Sequence, residues 1–168
     1  MQNATYSPDR SRYFATVLQQ APTACAKISG SVAYSSITGE ARFYQIPAGT
    51  LVAVQVFGLP SVNDNCQGKI FAIHIHDGSN CSGYRFEDTL GHYNPNECDQ
   101  PYHEGDMPPL FGNNGFAYSV FLTGRFSVDE VIGKTVVIHR GLDDFTSQPS
   151  GNAGEKIACG RIERRACY

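Results

Sequence analysis

Short apolar or alternating stretches, bounded by glycine, proline, asparagine or threonine, follow one another along most of the chain and predict strands. The stretches lie at residues 28–34, 41–46, 52–57, 70–76, 116–122, 135–139 and 156–162. Such short strands separated by turn residues are typical of sandwiches and barrels. The pattern therefore predicts an all-β fold.

The N-terminal residues follow a different pattern, which predicts one short helix outside the core. Ser7-Pro8-Asp9 is a helix-start signal, with a capping hydroxyl before a proline at the first helical position. Residues 12–20 are sufficient for two turns before Pro22 ends the helix. We expect an N-terminal extension at 1–24 and a β-domain at 25–168.

Two long polar segments interrupt the strands, one at 77–115 and one at 140–154. The first is rich in glycine, asparagine, aspartate and proline and shows little periodicity. A loop of this length inside a compact domain is usually functional. We expect both loops on one side of the barrel, where they would form the functional site.

Length and charge narrow the class of protein. The chain has 168 residues, 41% of them hydrophobic, and a formal net charge of -3, which fits one domain with a single core and excludes a nucleic-acid binder. The longest apolar runs, such as Leu51–Val54, are far shorter than the roughly 18 residues of a membrane span.

No export signal is visible, so we expect a cytoplasmic protein, although six cysteines would suit an exported one.

All five histidines lie beside or within the two loops. His74 and His76 are two positions apart on one predicted strand, so their imidazoles project from the same face. His92 in the first loop and His139 at a strand end complete a set of four imidazoles, which suits copper better than calcium or magnesium. The alternative is that these histidines are ordinary surface or core residues.

Five motifs extend this pattern to a family resemblance. They are His74-Ile75-His76, Gly91–Pro95, His103-Glu104-Gly105-Asp106, Val137–Asp144 and Gly151–Gly160. In this order and spacing, over about 26–162, they resemble the copper/zinc superoxide dismutase family, and its bacterial branch most closely. The resemblance implies an eight-stranded Greek-key β-barrel with copper held by His74, His76, His92 and His139, and His92 as the bridge to zinc.

The zinc site departs from the family pattern. The family uses the bridging histidine, two further histidines and an aspartate, and only His92, His103 and Asp106 match here. Glu97, Asp99 or water could supply the missing ligand, since zinc accepts oxygen ligands. Alternatively the enzyme is copper-only, and His103 and Asp106 hydrogen-bond the far nitrogen of His92 and fix its orientation. The sequence therefore leaves open whether the protein binds zinc.

By the same resemblance, Asp143 matches the aspartate that ties a copper histidine to the histidine that is missing here. We expect it to orient His74 and to lack its other partner. The simpler alternative is that Asp143 and Asp144 form a solvated acidic pair in a turn.

The implied reaction is the one-electron cycling of copper, which converts superoxide to dioxygen and hydrogen peroxide. Lys156 replaces the family's arginine and would attract superoxide by charge, without the fork that holds an anion in two bonds. An ordinary lysine at a solvated strand end is the alternative. His92 would carry one proton. A non-enzymatic copper-binding or structural domain of the same fold is the competing function.

The resemblance also implies a disulfide between Cys81 and Cys159, which would pin the first loop to the barrel. The other four cysteines are expected to pair as Cys25 with Cys167 and Cys66 with Cys98, among the fifteen pairings that six cysteines allow. Dimers are common in the family, so a homodimer is one expected assembly, but no sequence feature selects its interface.

Overall fold

The computed structural model of the protein describes residues 8–61, 69–164 and 167. The elements are α1 Pro8–Leu18, β1 Ala24–Gly30, β2 Thr38–Ile46, β3 Gly49–Phe57, β4 Ile70–Phe71, β5 Ile73–His76, β6 Leu110–Phe111, β7 Ala117–Thr123, α2 Val128–Val131, β8 Thr135–His139 and β9 Lys156–Glu163. One-turn 3₁₀ helices lie at Val32–Tyr34 and Glu87–Thr89. The all-β prediction is confirmed.

The strands close into a barrel. Seven of them form one antiparallel sheet in the order β5-β8-β9-β1-β2-β3-β7, and β4 pairs with β6. Because β4 continues into β5 and β6 packs beside β7, this short pair joins the two ends of the sheet. In the order of neighbouring strands, β7 and β6 lie between β3 and β4, as in a Greek key. Counting β4 and β5 as one broken strand gives eight strands in the described part of the chain.

The barrel interior is filled by one face of each strand. The largest fully buried apolar side chains are Ile28, Ile37, Phe43, Phe71, Ile73, Ile75, Leu110, Ile138, Ile157 and Ile162. Because side chains alternate along a strand, Ile73 and Ile75 point inward while His74 and His76 point to the outer face of β5. The two histidines are nevertheless fully buried, so the loops must cover this outer face.

The structure corrects two predicted strand boundaries. The first strand ends at Gly30 rather than at 34, because the chain turns back there and the Gly30 N–H donates to the Ile37 carbonyl. The stretch at 70–76 is broken at Ala72. Its N–H donates to Gly141 O and its carbonyl accepts from His139 N, each over 2.8 Å, so Ala72 bonds to the last residue of β8 and to the chain just after it.

The N-terminal helix begins at Pro8, while the capping residue Ser7 lies outside the described residues. The helix is outside the barrel interior, but Val17 is buried against Tyr44 and Leu51 on the outer face of β2 and β3. The division into 1–24 and 25–168 stays a prediction. No helix within 8–61 or 69–164 is long and apolar enough to cross a membrane.

Candidate metal centre

Four imidazoles converge on the outer face of the barrel, beneath the loops. His74 and His76 come from β5, His139 comes from the end of the neighbouring β8, and the first loop adds His92. One ring nitrogen from each lies within 4.8 Å of the others. His76 Nε2 and His139 Nε2, for example, are 3.2 Å apart. The structure therefore brings together the four histidines that the sequence selected.

Backbone carbonyls fix two of these rings from behind. His76 Nδ1 is 2.9 Å from Leu90 O, and His139 Nδ1 is 3.1 Å from Gly154 O. Because a carbonyl only accepts, the proton of each ring is placed on Nδ1. Both Nε2 atoms then present lone pairs to the centre of the cluster.

The other two histidines leave buried nitrogens without partners. His74 Nδ1 and His92 Nε2 have no hydrogen-bond partner among the residues that the structure describes. A buried polar atom without a partner is costly, and a metal ion at the centre of the cluster would satisfy both. Four neutral nitrogen ligands suit copper. The residues present therefore fit a copper ion.

Burial favours the neutral form of three of these histidines, His74, His76 and His139. It lowers the pKa of His74, although the hydrogen bond to Asp143 opposes the shift. Burial and the neighbouring His139 lower the pKa of His76 well below its ordinary value. Burial and then His74 lower the pKa of His139 to about 3. Because a metal binds the unprotonated imidazole, these shifts favour metal binding at neutral pH.

A second cluster lies behind His92. His92 Nδ1 is 2.9 Å from Asp106 Oδ1 and 3.2 Å from His103 Nδ1, and the three side chains are almost fully buried. These three could hold a metal or, without one, fix the ring of His92. Glu97 and Asp99 are exposed and belong to no metal-binding cluster among the described residues. The structure therefore does not bring either of them to the vacant zinc-ligand position.

The expectation that Asp143 lacks a second partner is wrong. Asp143 is buried, and its Oδ2 accepts from His74 Nε2 over 2.8 Å and from Gln100 Nε2 over 2.7 Å. Burial alone would raise the pKa of this carboxyl, but hydrogen bonds from His74, the Phe145 N–H and Gln100 bring it below its ordinary value. Asp144 is exposed but Asp143 is buried, so the two acidic residues are not a solvated pair.

A cavity of about 400 Å³ opens beside three of the four histidines, His76, His92 and His139. Lys156 lies in its wall, and its Nζ donates to Thr89 Oγ1 over 2.7 Å and to Leu90 O over 2.9 Å. Burial lowers the pKa of this ammonium, and the carboxylate of Glu87 opposes that shift. A cation is thus held at the mouth of the metal centre, as an anionic substrate would require.

Two disulfides join described cysteines. Cys81 and Cys159 are joined with an S–S distance of 2.01 Å and pack with Phe86 over Val137. This contact ties the first loop to β9. Cys25 is joined to Cys167. Cys98 forms no disulfide with a described residue, and the expected pair with Cys66 lies outside the described residues because Cys66 is not among them.

Sequence reasoning missed three groups that support the site. The carbonyls of Leu90 and Gly154 carry no sequence signal, because any residue supplies a carbonyl. Gln100 lies in the segment between His92 and His103, where the family has the histidine that is absent here. This position in the sequence could have identified Gln100 as a candidate partner of Asp143.

Comparison with known proteins agrees with this geometry. The family model described as copper/zinc superoxide dismutase matches residues 37–162. A protein named Superoxide dismutase [Cu-Zn] 2 from Aquifex aeolicus is 32% identical over 142 residues, which are 75% of this chain and 79% of the relative. Superoxide dismutase [Cu-Zn] from Deinococcus radiodurans is 30% identical over 145 residues, which are 74% and 76% of the two chains. The crystal structure of a SOD-like protein from Bacillus subtilis matches with a TM-score of 0.66 and 22% identity, covering 81% of this chain and 95% of that one.

Proposed function

The chain belongs to the copper/zinc superoxide dismutase family, and from this premise we propose that it is a superoxide dismutase that holds copper with four histidines and works without zinc. Superoxide dismutase activity and copper follow from the family. The ligand set and the independence from zinc are the specific parts of the proposal. The observation that supports the ligand set is the pair of buried nitrogens without partners among the described residues, His74 Nδ1 and His92 Nε2. Independence from zinc is supported by the contacts of His92 Nδ1 with Asp106 and His103.

Copper, when bound, supplies the one-electron chemistry that oxidises one superoxide to dioxygen and reduces a second, with two protons, to hydrogen peroxide. The residues of the chain supply the rest. Lys156 places a positive charge in the wall of the cavity and raises the local concentration of a small anion. Its ammonium is held by oxygens of the segment at 86–90, so the charge has a fixed position.

His92 is the proposed proton carrier. Its Nδ1 faces Asp106 and His103. The proton on Nδ1 is donated in a hydrogen bond to the Asp106 carboxylate, which fixes the ring. Its Nε2 lies in the metal cluster and can hold a proton whenever that nitrogen is not a ligand. From that position the proton can be delivered to the reduced product in the cavity.

Independence from zinc rests on the same contacts. In a zinc-containing site the metal would orient the far side of His92, whereas here Asp106 does so at hydrogen-bond distance. Among the described residues, no fourth protein ligand for zinc joins the cluster, since neither Glu97 nor Asp99 reaches it.

A copper-binding domain without enzymatic activity is the competing function. Copper storage would not need a cation beside an open cavity, and Lys156 therefore favours the enzyme. The cytoplasmic location and the homodimer stay predictions. The two disulfides are more typical of an oxidising compartment than of the cytoplasm.

The test is to load the full chain with copper alone and to measure copper per chain and superoxide consumption. We expect one tightly bound copper and activity in the wild type, and loss of both in His139→Ala. His103→Ala is the matched control, because His103 is a histidine outside the four and this variant should still bind one copper. Unchanged copper content and activity in His139→Ala would show the ligand set to be wrong. Full copper content without activity in the wild type would instead support the copper-binding domain.

A further inference from the structure

Gln100 is buried beside the copper-ligand cluster and contacts it through a single carboxylate. Its side chain is 4% exposed, and its Nε2 lies 2.7 Å from Asp143 Oδ2. The same oxygen accepts from His74 Nε2 over 2.8 Å, while Asp143 Oδ1 accepts the Phe145 N–H over 2.7 Å. Three donors thus hold the carboxylate. Phe145 belongs to the same turn as Asp143 and His74 belongs to the metal cluster, whereas Gln100 belongs to neither.

Charge fixes the orientation of this amide. With Nε2 toward Asp143, a donor meets a carboxylate; with the amide reversed, Gln100 Oε1 would face an anionic oxygen. Hydrogen bonds to ionised groups are roughly twice as strong as neutral ones. The observed orientation is favoured even though Gln100 Oε1 is left buried without a partner.

The backbone of Gln100 is also fixed. Its N–H donates to Gln148 Oε1 over 3.0 Å, and Gln148 Nε2 donates back to Gln100 O over 3.1 Å. Arg125 Nη1 donates to the carbonyls of Pro101 and His103, each over 3.1 Å. These contacts fasten the segment around Gln100 to the second loop and to the chain after β7, without any metal.

We propose that Gln100 is a positioning residue for the copper site: its amide fixes Asp143, which in turn fixes the ring and the protonated nitrogen of His74. The loop that contains His103 and Asp106 is thereby linked to a copper ligand by hydrogen bonds alone. In its second step, from His74 to copper, this proposal rests on the proposed function. Its first step concerns the metal-free protein.

The test compares Gln100→Leu, which keeps the volume and removes the donor, with Gln100→His, which restores a ring N–H. Gln45→Ala is the control, because the Gln45 side chain also bonds to backbone groups, at Gly49 O and Val128 N, away from the cluster. In the metal-free, nitrogen-15-labelled full chain, we expect the His74 Nε2–H signal in the wild type and its broadening through faster exchange with water in Gln100→Leu. Gln100→His and Gln45→Ala should retain the wild-type signal.

Copper affinity is the second readout. Loss of a group that orients a metal ligand typically weakens metal affinity 10–100-fold, and we expect about this loss in Gln100→Leu and recovery in Gln100→His. If Gln100→Leu does not fold, Gln148→Ala, which frees the Gln100 backbone, should give the same two changes. The proposal would be overturned if Gln100→Leu kept the wild-type His74 signal and copper affinity. It would also be overturned if Gln45→Ala lost as much signal and copper affinity as Gln100→Leu. If the wild type bound no copper, the proposed function would fail, and the His74 signal would still decide the role of Gln100.

Discussion

Lys156 and His76 donate hydrogen bonds to the same acceptor, the carbonyl oxygen of Leu90, over 2.9 Å each. Leu90 has a φ of 60°, a value that favours glycine, so its peptide is held in a costly conformation. The two donors stabilise it there. The cation in the cavity wall therefore also supports the carbonyl that orients a copper ligand.

Reversal of the charge at Lys156 should slow superoxide consumption. In Lys156→Glu an anion faces the incoming anion and the bond to Leu90 is lost, whereas Lys156→Arg keeps both the charge and a donor and should preserve or raise the rate. The wild-type rate should fall as salt is added, because screening acts over roughly 10 Å at 0.1 M ionic strength. The measurement is the rate of superoxide consumption by copper-loaded protein across a series of salt concentrations.

Lys69→Glu is the matched control for net charge, because Lys69 is an exposed lysine outside the cavity lining. It should change the rate much less than Lys156→Glu. If Lys156→Glu and wild type had equal rates at low salt, Lys156 would be an ordinary surface lysine.

As the pH is lowered, the metal-free protein should begin to lose stability at pH values above those at which most carboxylates take up protons. Burial lowers the pKa of His74, His76 and His139, the last to about 3. The unfolded chain binds these protons near pH 6.5, so stability present above that pH is lost as the pH falls toward about 3. The slope is up to about 1.4 kcal/mol per pH unit for each histidine. Urea unfolding at several pH values measures it.

The variant that checks this slope is His139→Gln, which cannot be protonated. Its free energy of unfolding should depend less steeply on pH below about 6.5 than that of the wild type. The same dependence in both proteins would show that His139 does not contribute.

The disulfide between Cys81 and Cys159 should stabilise the fold as well as the first loop. It closes a loop with a sequence separation of 78, for which chain entropy gives about 4 kcal/mol, less any native strain. The double variant Cys81→Ser/Cys159→Ser should lose about 2–5 kcal/mol in denaturant unfolding. Equal stability of the double variant and the wild type would contradict the prediction.

The strands and the placement of His74 and His76 on one face could be predicted because both follow a local rule, the two-residue periodicity that separates these histidines from Ile73 and Ile75. The eight-stranded barrel and the full ligand set were expected from the family resemblance. The ladder between β5 and β8, which brings His139 alongside, is a long-range pairing that periodicity alone does not give. The break at Ala72 could not be predicted, because it depends on backbone hydrogen bonds to the distant residues His139 and Gly141. The early end of β1 depends on a turn closed by the hydrogen bond from Gly30 to Ile37, which the apolar pattern does not show.

The support of the metal centre was less visible in the sequence. Asp143 was expected to lack its second partner, since only a histidine was considered for that place. Gln100 takes it because an amide N–H donates to a carboxylate as an imidazole N–H does, and because Gln148 fixes its backbone. Such substitution of one donor for another depends on tertiary position and is not encoded by spacing.

The most direct test of the account is the superoxide dismutase rate of the full chain loaded with copper and stripped of zinc. Copper per chain and residual zinc are measured on the same sample before the assay. Because Asp106 and His103 already contact His92 Nδ1, the account predicts one copper per chain, negligible zinc and most of the rate seen with both metals. Near-total loss of activity in that sample, restored by zinc alone, would contradict it.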